Sequence, residues 1–398
     1  MVWRTLSLII VLWSVTGCLS PLAMHRAVIE YDRTVNQVES EMLLLNIARA
    51  KQGHPLHFTA ISNVAATFDF RSTGGFGGQL FENSGPVFAK NFFFFNFGAS
   101  VGENPTVSIV PVQGEDFTKR ILTPMDETKL DFLLAQGIEP AIVLRLMGRG
   151  LAVEEDGKRT FYLNLPHREG EYQEFRKRVL HLSALNLARQ LQIGPIVYEE
   201  VWPLPLDHAL TSQALGKGYE WRRDESGQAQ LVRRVSGRVA ITNYDPGLLD
   251  NDERRRLHQQ AERYPRNYVF VDIRQKFLGG DYPWRGQIKL RSFNAILEFL
   301  ARGISDEQEF DVEPDPRSKP LMRNPVKTLA ITESKDSPDE AVFAAKLEGR
   351  WYAVVSEQED ERKVRPWNHE AFGLLNQLYQ MTVTDVARMP TLPITISK

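Results

Sequence analysis

The sequence predicts an α+β fold, and three observations support this prediction. An amphipathic helix near the N-terminus is followed by a long antiparallel β-hairpin with alternating apolar residues. After the hairpin comes a helical middle, and the last part of the chain has the pattern of a βαββαβ-like unit. With 42% hydrophobic and 25% charged residues among 398, the chain has the composition of a globular protein rather than a disordered one.

Residues 1–18 have the layout of a secretory signal. A single positive charge at Arg4 precedes the apolar run Leu6–Trp13, and small residues follow. The run is too short for a permanent transmembrane helix, which needs about 20 residues. The segment Val15-Thr16-Gly17-Cys18 resembles the bacterial lipobox, whose cysteine is diacylated before the signal is removed. Cys18 is the only cysteine in the chain, so it fits lipidation better than a disulfide, the alternative being an ordinary residue of a cleaved leader.

A lipidated Cys18 would hold the protein on a membrane surface, because each buried methylene of an acyl chain contributes about 0.8 kcal/mol. Leu19 and Ser20 follow the cysteine. In the lipoproteins that this region resembles, the absence of Asp directly after the cysteine favours release to the outer membrane. We therefore expect a periplasm-facing lipoprotein in the outer membrane of a Gram-negative bacterium, with outer-membrane lipid as the partner of acylated Cys18.

The charge balance argues against a nucleic-acid partner. The chain has 48 Lys and Arg residues against 50 Asp and Glu residues, a formal net charge of −2. A nucleic-acid-binding surface needs a basic face to neutralise phosphates. No later run is long and apolar enough to predict a transmembrane helix.

Residues His25–Lys51 are predicted to form one amphipathic helix, which Gly53 and Pro55 end. Such a helix either lies in a membrane surface or packs on the body of the protein. The mixture of acids and bases on its polar face favours packing, because helices that lie on membranes are rich in Lys and Arg. The apolar positions at helical spacing are Val28, Tyr31, Val35, Val38, Met42, Leu45, Ile47 and Ala48.

The alternating segment that follows predicts a long β-hairpin. From Leu56 to Arg71, apolar residues alternate with mostly polar ones at a period of two. The alternation resumes at 93–101, and 106–112 continue the second arm beyond Asn104-Pro105. We expect the glycine-rich residues 73–78 to lie in a flexible tip between the two arms.

Each arm exceeds the roughly 9–11 residues that a tilted transmembrane strand needs, and alternation near aromatic residues is typical of lipid-facing strands. The other interpretation is a soluble sheet whose apolar face is covered by neighbouring helices. The cluster Phe92–Phe95 is apolar on both faces, which is unusual for a solvated strand. The residues predicted to contact the membrane or another protomer are Phe58, Val64, Phe68, Phe70, Phe93, Phe95 and Phe97.

A single hairpin cannot close a barrel, and open strand edges are not tolerated in lipid. If the hairpin inserts, several protomers must each contribute one, as in oligomeric lipoprotein channels of the curli-export type. Membrane contact and self-association are therefore connected in this interpretation.

The remaining elements are predicted from apolar periodicity and its interruptions. The middle is expected to contain helices at 116–122, 126–149, 171–191, 206–215 and 250–263, and strands at 161–165, 196–202, 219–221, 230–234 and 239–243. The C-terminal unit is expected to contain strands at 288–290, 328–332, 351–356 and 392–397, helices at 292–301 and 370–381, and a mobile loop at 305–325. Ser292 is the expected N-cap of its helix.

These elements divide the chain into five predicted segments. They are a signal peptide at 1–17, a lipidated N-terminus and helix at 18–55, the extended hairpin at 56–112, a mixed helical and β domain at 113–285, and an α+β domain at 286–398.

The sequence contains no recognised catalytic or metal-binding motif, such as G-x-S-x-G, a Walker loop, H-E-x-x-H or Cys and His pairs at metal spacing. His54 and His57 straddle Pro55, and zinc would need two more ligands than the local sequence offers. We therefore expect no catalytic residue, no metal and no cofactor. Trp284 and Trp351 lie in aromatic segments and are candidate ligand-binding residues, although Trp beside Pro more often marks a packed loop.

Three segments stand out as a set: EMLLLNIARA at 41–50, NPTVSIVPVQGEDF at 104–117 and FGLLNQL at 372–378. Together they resemble an uncharacterised family of proteobacterial outer-membrane lipoproteins. In that family an N-L-x-R-A-like helix precedes a Gly/Ser-rich alternating hairpin and a P-T-x-x-x-x-P-x-x-G-E-x-F-like segment. This chain departs from the pattern at Phe92–Phe95, where smaller residues are expected. The resemblance implies lipidation and this architecture, and it implies no catalytic residue.

Three functions follow from the sequence. The leading hypothesis is a non-enzymatic outer-membrane lipoprotein that scaffolds or joins a multiprotein envelope complex, with other envelope proteins or copies of itself as partners. In its most specific form this complex is an oligomeric ring or pore with the 56–102 hairpin at the membrane. The alternative is a monomeric periplasm-facing lipoprotein that binds a ligand or peptide near Trp284 and Trp351. An envelope hydrolase comes third, because no nucleophile or acid pair is recognisable.

Overall fold

The computed structural model describes residues 19–79, 92–155, 157–202, 208–223, 226–339, 341–356 and 365–383. In these ranges the fold is α+β, as the sequence predicts, and consists of nine α-helices and twelve strands. The chain divides into two compact units. Among the described residues, the first unit comprises those of 19–39 and 57–112, and the second comprises those of 40–56 and 113–383. Cys18 and the predicted strand at 392–397 lie outside the described residues.

The N-terminal helix α1 spans Leu19–Lys51 and confirms the predicted helix. Its buried residues are concentrated in the part that belongs to the second unit, where Leu43, Leu44 and Ile47 are almost fully buried. Two residues of the predicted apolar stripe in the first unit are instead exposed: Val28 is 58% exposed and Val38 37%. The stripe is therefore continuous in the sequence but buried only at its C-terminal end.

The predicted hairpin is formed by two antiparallel strands, β1 (Phe58–Gln79) and β2 (Phe92–Val112). Residues 73–78 are not the tip of this hairpin, because β1 continues through them to Gln79. Because glycine has no side chain, the alternation of apolar and polar residues could not show that β1 continues through 73–78. Pro105 lies inside β2, where a two-stranded ribbon leaves one side of each strand free of ladder hydrogen bonds.

The second unit contains the other helices and strands. Its helices are α2 (Glu115–Leu122), α3 (Glu127–Ala135), α4 (Pro140–Met147), α5 (Glu169–Leu187), α6 (His208–Gly216), α7 (Asn251–Glu262), α8 (Phe293–Ser305) and α9 (Trp367–Val383). Its strands are β3 (Gly148–Glu155), β4 (Lys158–Leu163), β5 (Gln192–Val201), β6 (Glu220–Arg223), β7 (Ala229–Thr242), β8 (Tyr268–Ile273), β9 (Trp284–Leu290), β10 (Ile331–Ser334), β11 (Ala341–Leu347) and β12 (Arg350–Val355). A 3-10 turn at Pro246–Leu248 precedes α7.

A seven-stranded sheet forms the centre of the second unit. Its strand order is β4-β3-β9-β8-β7-β5, and β6 also pairs with β7. Within the described chain, β7 and β8 run parallel and the other neighbours are antiparallel. Helix α7 packs on the β5, β7 and β8 side through one apolar cluster, formed by Ile196, Ala240, Tyr244, Leu249, Leu257, Ala261 and Phe270.

A smaller sheet of order β10-β12-β11 lies in the same unit. The end of α1 docks on it, since Lys51 Nζ lies 2.8 Å from a Glu333 carboxylate oxygen and Gln52 Nε2 donates to the Tyr352 hydroxyl at 3.1 Å. Helix α9 covers the sheet through Phe372, whose ring stacks on Phe343 at 4.8 Å between centroids. The N-terminal and C-terminal parts of this unit are thereby joined.

The structure differs from the predicted architecture in its middle and C-terminal parts. The helix expected at 126–149 is two helices, and the chain continues directly from Met147 into β3. The buried strand β8 and the strand β11 were not predicted. Strand β9 pairs with β3 and β8 rather than with β10–β12, so the expected boundary at residue 286 runs through one compact unit. The N-cap prediction at Ser292 is confirmed, because Ser292 Oγ accepts a hydrogen bond from the Ala295 amide at 3.2 Å.

Candidate functional site

The hairpin is the candidate interaction element, and its two strands pair along their whole length. Phe58 pairs with Val112 at the base, and Gln79 pairs with Phe92 at the far end. One irregularity interrupts the register, between Ile61 and Asn63. At about 3.3 Å per residue, arms of this length extend for about 70 Å, roughly twice the thickness of a bilayer hydrocarbon core.

The register pairs the two sets of apolar positions that the sequence pattern identified. Beyond the irregularity, alternate positions of β1 from Val64 onward pair with the odd-numbered positions of β2. Directly opposite positions in an antiparallel pair share a face of the sheet. One face of the hairpin therefore collects the pairs Val64–Val107, Ala66–Pro105, Phe68–Glu103, Phe70–Val101, Ser72–Ala99, Gly74–Phe97, Phe76–Phe95 and Gly78–Phe93.

Phe58 differs from the other predicted contact residues. Its side chain is 3% exposed, and that of its cross-strand partner Val112 is 4% exposed, so the pair is buried at the base of the hairpin. Phe58 is therefore not available to lipid or to another protomer. For Val64, Phe68, Phe70, Phe93, Phe95 and Phe97 the structure describes the backbone pairing alone.

The two candidate ligand-binding tryptophans do not form a common cleft. Trp284 begins β9 in the central sheet and is 3% exposed. Trp351 lies in β12 of the smaller sheet, half-buried, with Lys346 Nζ 5.5 Å from its ring centroid. Trp284 is therefore a residue of the core of the central sheet.

His54 and His57 are not drawn into a metal site by the fold. His54 Nε2 lies 3.7 Å from a carboxylate oxygen of Glu348. Within the described ranges, no group of three or more His, Cys, Asp or Glu side chains is arranged to hold a metal ion.

A buried charge network that the sequence analysis missed lies around Glu309. Its side chain is 7% exposed and accepts hydrogen bonds from Arg145 Nη2 at 3.1 Å and from the Tyr172 hydroxyl at 2.9 Å. The Thr328 hydroxyl donates to the same carboxylate at 2.6 Å, and the Thr328 amide donates at 2.5 Å. Burial alone would raise the pKa of Glu309, but Arg145 and the bonds from Thr328 outweigh burial and lower this pKa.

Arg145 connects this carboxylate to the irregular segment 306–330, which follows α8. Its Nη1 donates to the Pro325 carbonyl at 2.8 Å, its Nη2 to the Val326 carbonyl at 2.6 Å, and its Nε to Thr328 Oγ1 at 3.0 Å. The predicted loop at 305–325 is thus irregular but packed into the unit rather than free. A sequence signal for the network was present: Arg145 stands alone among the apolar residues of α4, and a buried charge requires a partner.

His181 of α5 makes a second buried contact with segment 306–330. His181 is 1% exposed, and its Nδ1 lies 3.0 Å from the Ser318 hydroxyl. Its ring packs on Tyr282 at 5.2 Å between centroids. Burial lowers the pKa of His181 to about 4, against a smaller opposing effect of Asp315.

This histidine makes the fold sensitive to acid. Because the pKa of about 4 in the folded state lies below the usual histidine value of 6.5, protonation favours unfolding. The stabilisation is complete above pH 6.5 and is lost as the pH falls toward 4, by up to about 3 kcal/mol. We expect urea titrations to show a flatter dependence of unfolding free energy on pH for His181→Gln than for the wild type. The exposed His25→Gln should follow the wild-type curve, and superimposable curves for all three proteins would contradict the assignment.

A groove follows the exposed side of α9, bounded by the end of α3. Gln136, Gly373 and Gln377 line both of its adjoining cavities, of about 330 and 540 Å³. Phe132 stands at its margin and is 60% exposed. The family-like segment 372–378 therefore contributes residues to this groove as well as to the core.

Comparisons of the chain with protein-family models, with curated proteins and with solved structures give no match. None of the helices in the described ranges has the length and apolarity needed to cross a membrane.

Proposed function

We propose that this chain is a non-enzymatic outer-membrane lipoprotein, anchored through acylated Cys18 and facing the periplasm. The support for the anchor is the lipobox-like segment Val15–Cys18, which ends the apolar run of the signal. The family resemblance of segments 41–50, 104–117 and 372–378 points the same way. A doubly acylated cysteine gives stable membrane attachment, whereas a single chain gives only marginal binding.

The observation that carries the proposed role is the length and register of the hairpin. Strand β1 has 22 residues and β2 has 21, and their pairing places the alternate apolar positions on one face of the hairpin. An isolated two-stranded hairpin is marginally stable in water, so a hairpin of this length needs a surface to cover its apolar face. We propose that this surface is the membrane together with the hairpins of neighbouring copies, which removes the open edges that lipid does not tolerate.

The protein then acts as a scaffold or component of a multiprotein envelope complex. The hairpins form the membrane-facing part of the assembly, and the second unit provides surfaces for other envelope proteins. Chemistry on a substrate is not part of this role.

The oligomeric state in detergent tests the proposal. Size-exclusion chromatography with light scattering should give a mass several times that of one protomer for the mature wild type. Phe68→Ser/Phe70→Ser changes the apolar register positions and should shift the mass toward one protomer. The matched control Thr67→Ser/Asp69→Ser changes neighbouring positions of the opposite face and should keep the wild-type mass. A strictly monomeric wild type would contradict the proposed assembly.

A further inference from the structure

The central sheet carries a shallow pocket at its β4 end. Its volume is about 180 Å³, and Gly150, Ala152 and Gln287 are among the residues that line it. A side chain at Gly150 could not be accommodated, because a Cβ there would lie 2.7 Å from the Tyr162 carbonyl oxygen. An apolar cavity of about 150 Å³ accepts a benzene molecule. The pocket therefore has room for one six-membered ring.

Aromatic and cationic side chains alternate in an arc beside this pocket. Lys289 Nζ lies 5.3 Å from the Tyr268 ring centroid, and the Tyr268 and Tyr264 rings lie 6.0 Å apart. The Arg159 guanidinium lies 4.6 Å from the Tyr264 centroid and 4.9 Å from that of Phe161. The residues of the arc other than Tyr264 lie on strands, and Phe161 is 52% exposed although it is a large apolar residue.

Some of the cationic groups around the arc are not neutralised by a neighbouring acid and are available to a ligand. Glu154 accepts hydrogen bonds from Gln287 Nε2 at 3.1 Å and from the Tyr264 hydroxyl at 3.3 Å. Arg159 Nη2 donates to the side-chain amide oxygen Oε1 of Gln287 at 2.9 Å. Arg149 and Lys289 also line the pocket, and neither forms an ion pair with a residue in the described ranges. The surface is thus aromatic and cationic.

We propose that this pocket binds an acidic segment of a partner protein, with one aromatic side chain inserted over Gly150 and Ala152. Arg149 and Lys289 hold carboxylates on either side of the inserted ring. Exposed aromatic residues and arginines on a rigid surface are the composition of protein-interface hot spots. The arc also includes Tyr264 and Arg159, which do not line the pocket, so it offers contact area for neighbouring residues of a peptide in addition to the ring.

This site does not depend on the hairpin, because all of its residues belong to the unit formed by 40–56 and 113–384. This proposal and the proposed function can fail separately. Assembly through the hairpin is measured by the mass of the protein in detergent, whereas this site is measured by the affinity of the protein for a peptide. It identifies the kind of partner that the scaffold would recruit.

Calorimetric titration of the mature, full-length protein tests the site with the blocked peptide Ac-Glu-Phe-Asp-NH2. We expect saturable binding that weakens about tenfold or more with Ac-Gln-Phe-Asn-NH2 and with Ac-Glu-Ala-Asp-NH2. Lys289→Glu and Phe161→Ala should each weaken binding of the acidic peptide about tenfold. Lys158→Glu, an exposed cation on β4 outside the pocket, is the matched control and should leave the affinity unchanged.

Arg149→Glu provides a second charge reversal at an exposed position, should Lys289→Glu fail to fold. Equal affinities for the acidic and neutral peptides, or no effect of either reversal, would overturn the proposal. Absence of binding to the acidic peptide would overturn it as well. Binding of free 3-phenylpropionate as tightly as the peptide would assign the pocket to a small aromatic acid instead of a protein partner.

Discussion

Replacing Glu309 by leucine should lower the free energy of unfolding by about 3–5 kcal/mol, the usual cost of leaving a buried charge without its partner. Arg145 would keep its bonds to main-chain carbonyls but would lose its counter-charge, and Arg176, whose Nη1 lies 3.9 Å from the Glu309 carboxylate, would also be left unbalanced. The Thr328 amide would lose its acceptor. Urea unfolding followed by tryptophan fluorescence measures the loss.

The control for Glu309→Leu is Glu115→Gln, which breaks an exposed ion pair with Lys119 on α2. Exposed pairs of this kind contribute about 0–1 kcal/mol. If Glu309→Leu lowers the free energy of unfolding as little as Glu115→Gln does, the Glu309 carboxylate does not hold segment 306–330 in place. A large loss would instead show that the second unit depends on it.

Replacing Cys18 by serine should remove the acyl chains from the protein and leave the signal at 1–17 uncleaved. Serine has no thiol to acylate, and in the lipoproteins that residues 15–18 resemble the signal is removed only after acylation. Labelling of cells with radioactive palmitate should mark the wild type and leave Cys18→Ser unlabelled. Leu19→Ala, next to the acylated position, is the control and should keep the label.

Palmitate incorporation into Cys18→Ser would contradict acylation at this residue. Cleavage of the signal from the unlabelled variant would contradict it as well, because the signal of such a lipoprotein is removed only after acylation.

The elements that could be predicted from the sequence are those whose patterns are local. The period of two predicts β1 and β2, because one face of each strand is apolar over many residues. Ser292 predicts the start of α8, because an N-cap acts within one turn. The hairpin register then follows from joining the two apolar sets across the pair.

The elements that could not be predicted depend on distant partners. Val269–Ile273 is an almost continuous apolar run in β8, buried between β7 and β9, and such a run shows no alternation. The change from α4 to β3 occurs between Met147 and Gly148 without a connecting loop, and pairing with β4 and β9 decides where the helix ends. Tertiary pairing overrides local preference at both places.

The charge network was missed for a related reason. Glu309 lies in an acidic, proline-rich stretch that reads as a solvated loop, and its two arginines are more than 100 residues away in the sequence. Arg145 was the better clue, since a charge inside an apolar helix has to be paired. Likewise, the arc beside the β4 pocket joins residues of three strands and a loop, and no local pattern shows them together.

The central claim is that one face of the hairpin contacts lipid, and site-specific fluorescence tests it most directly. Six variants are made, each with one introduced cysteine at 66, 68 or 70 or at 67, 69 or 71. Each introduced cysteine is labelled with an environment-sensitive NBD probe. Cys18 has no free thiol if it is acylated as we propose, so only the introduced cysteine should react. The protein is then reconstituted in vesicles with and without nitroxide-labelled phospholipid.

We predict an alternating result. Probes at 66, 68 and 70 should emit at shorter wavelength and be quenched by the nitroxide lipid, whereas probes at 67, 69 and 71 should be insensitive to it. Equal behaviour at all six positions, or shorter-wavelength emission at 66, 68 and 70 that the nitroxide lipid does not quench, would contradict the account.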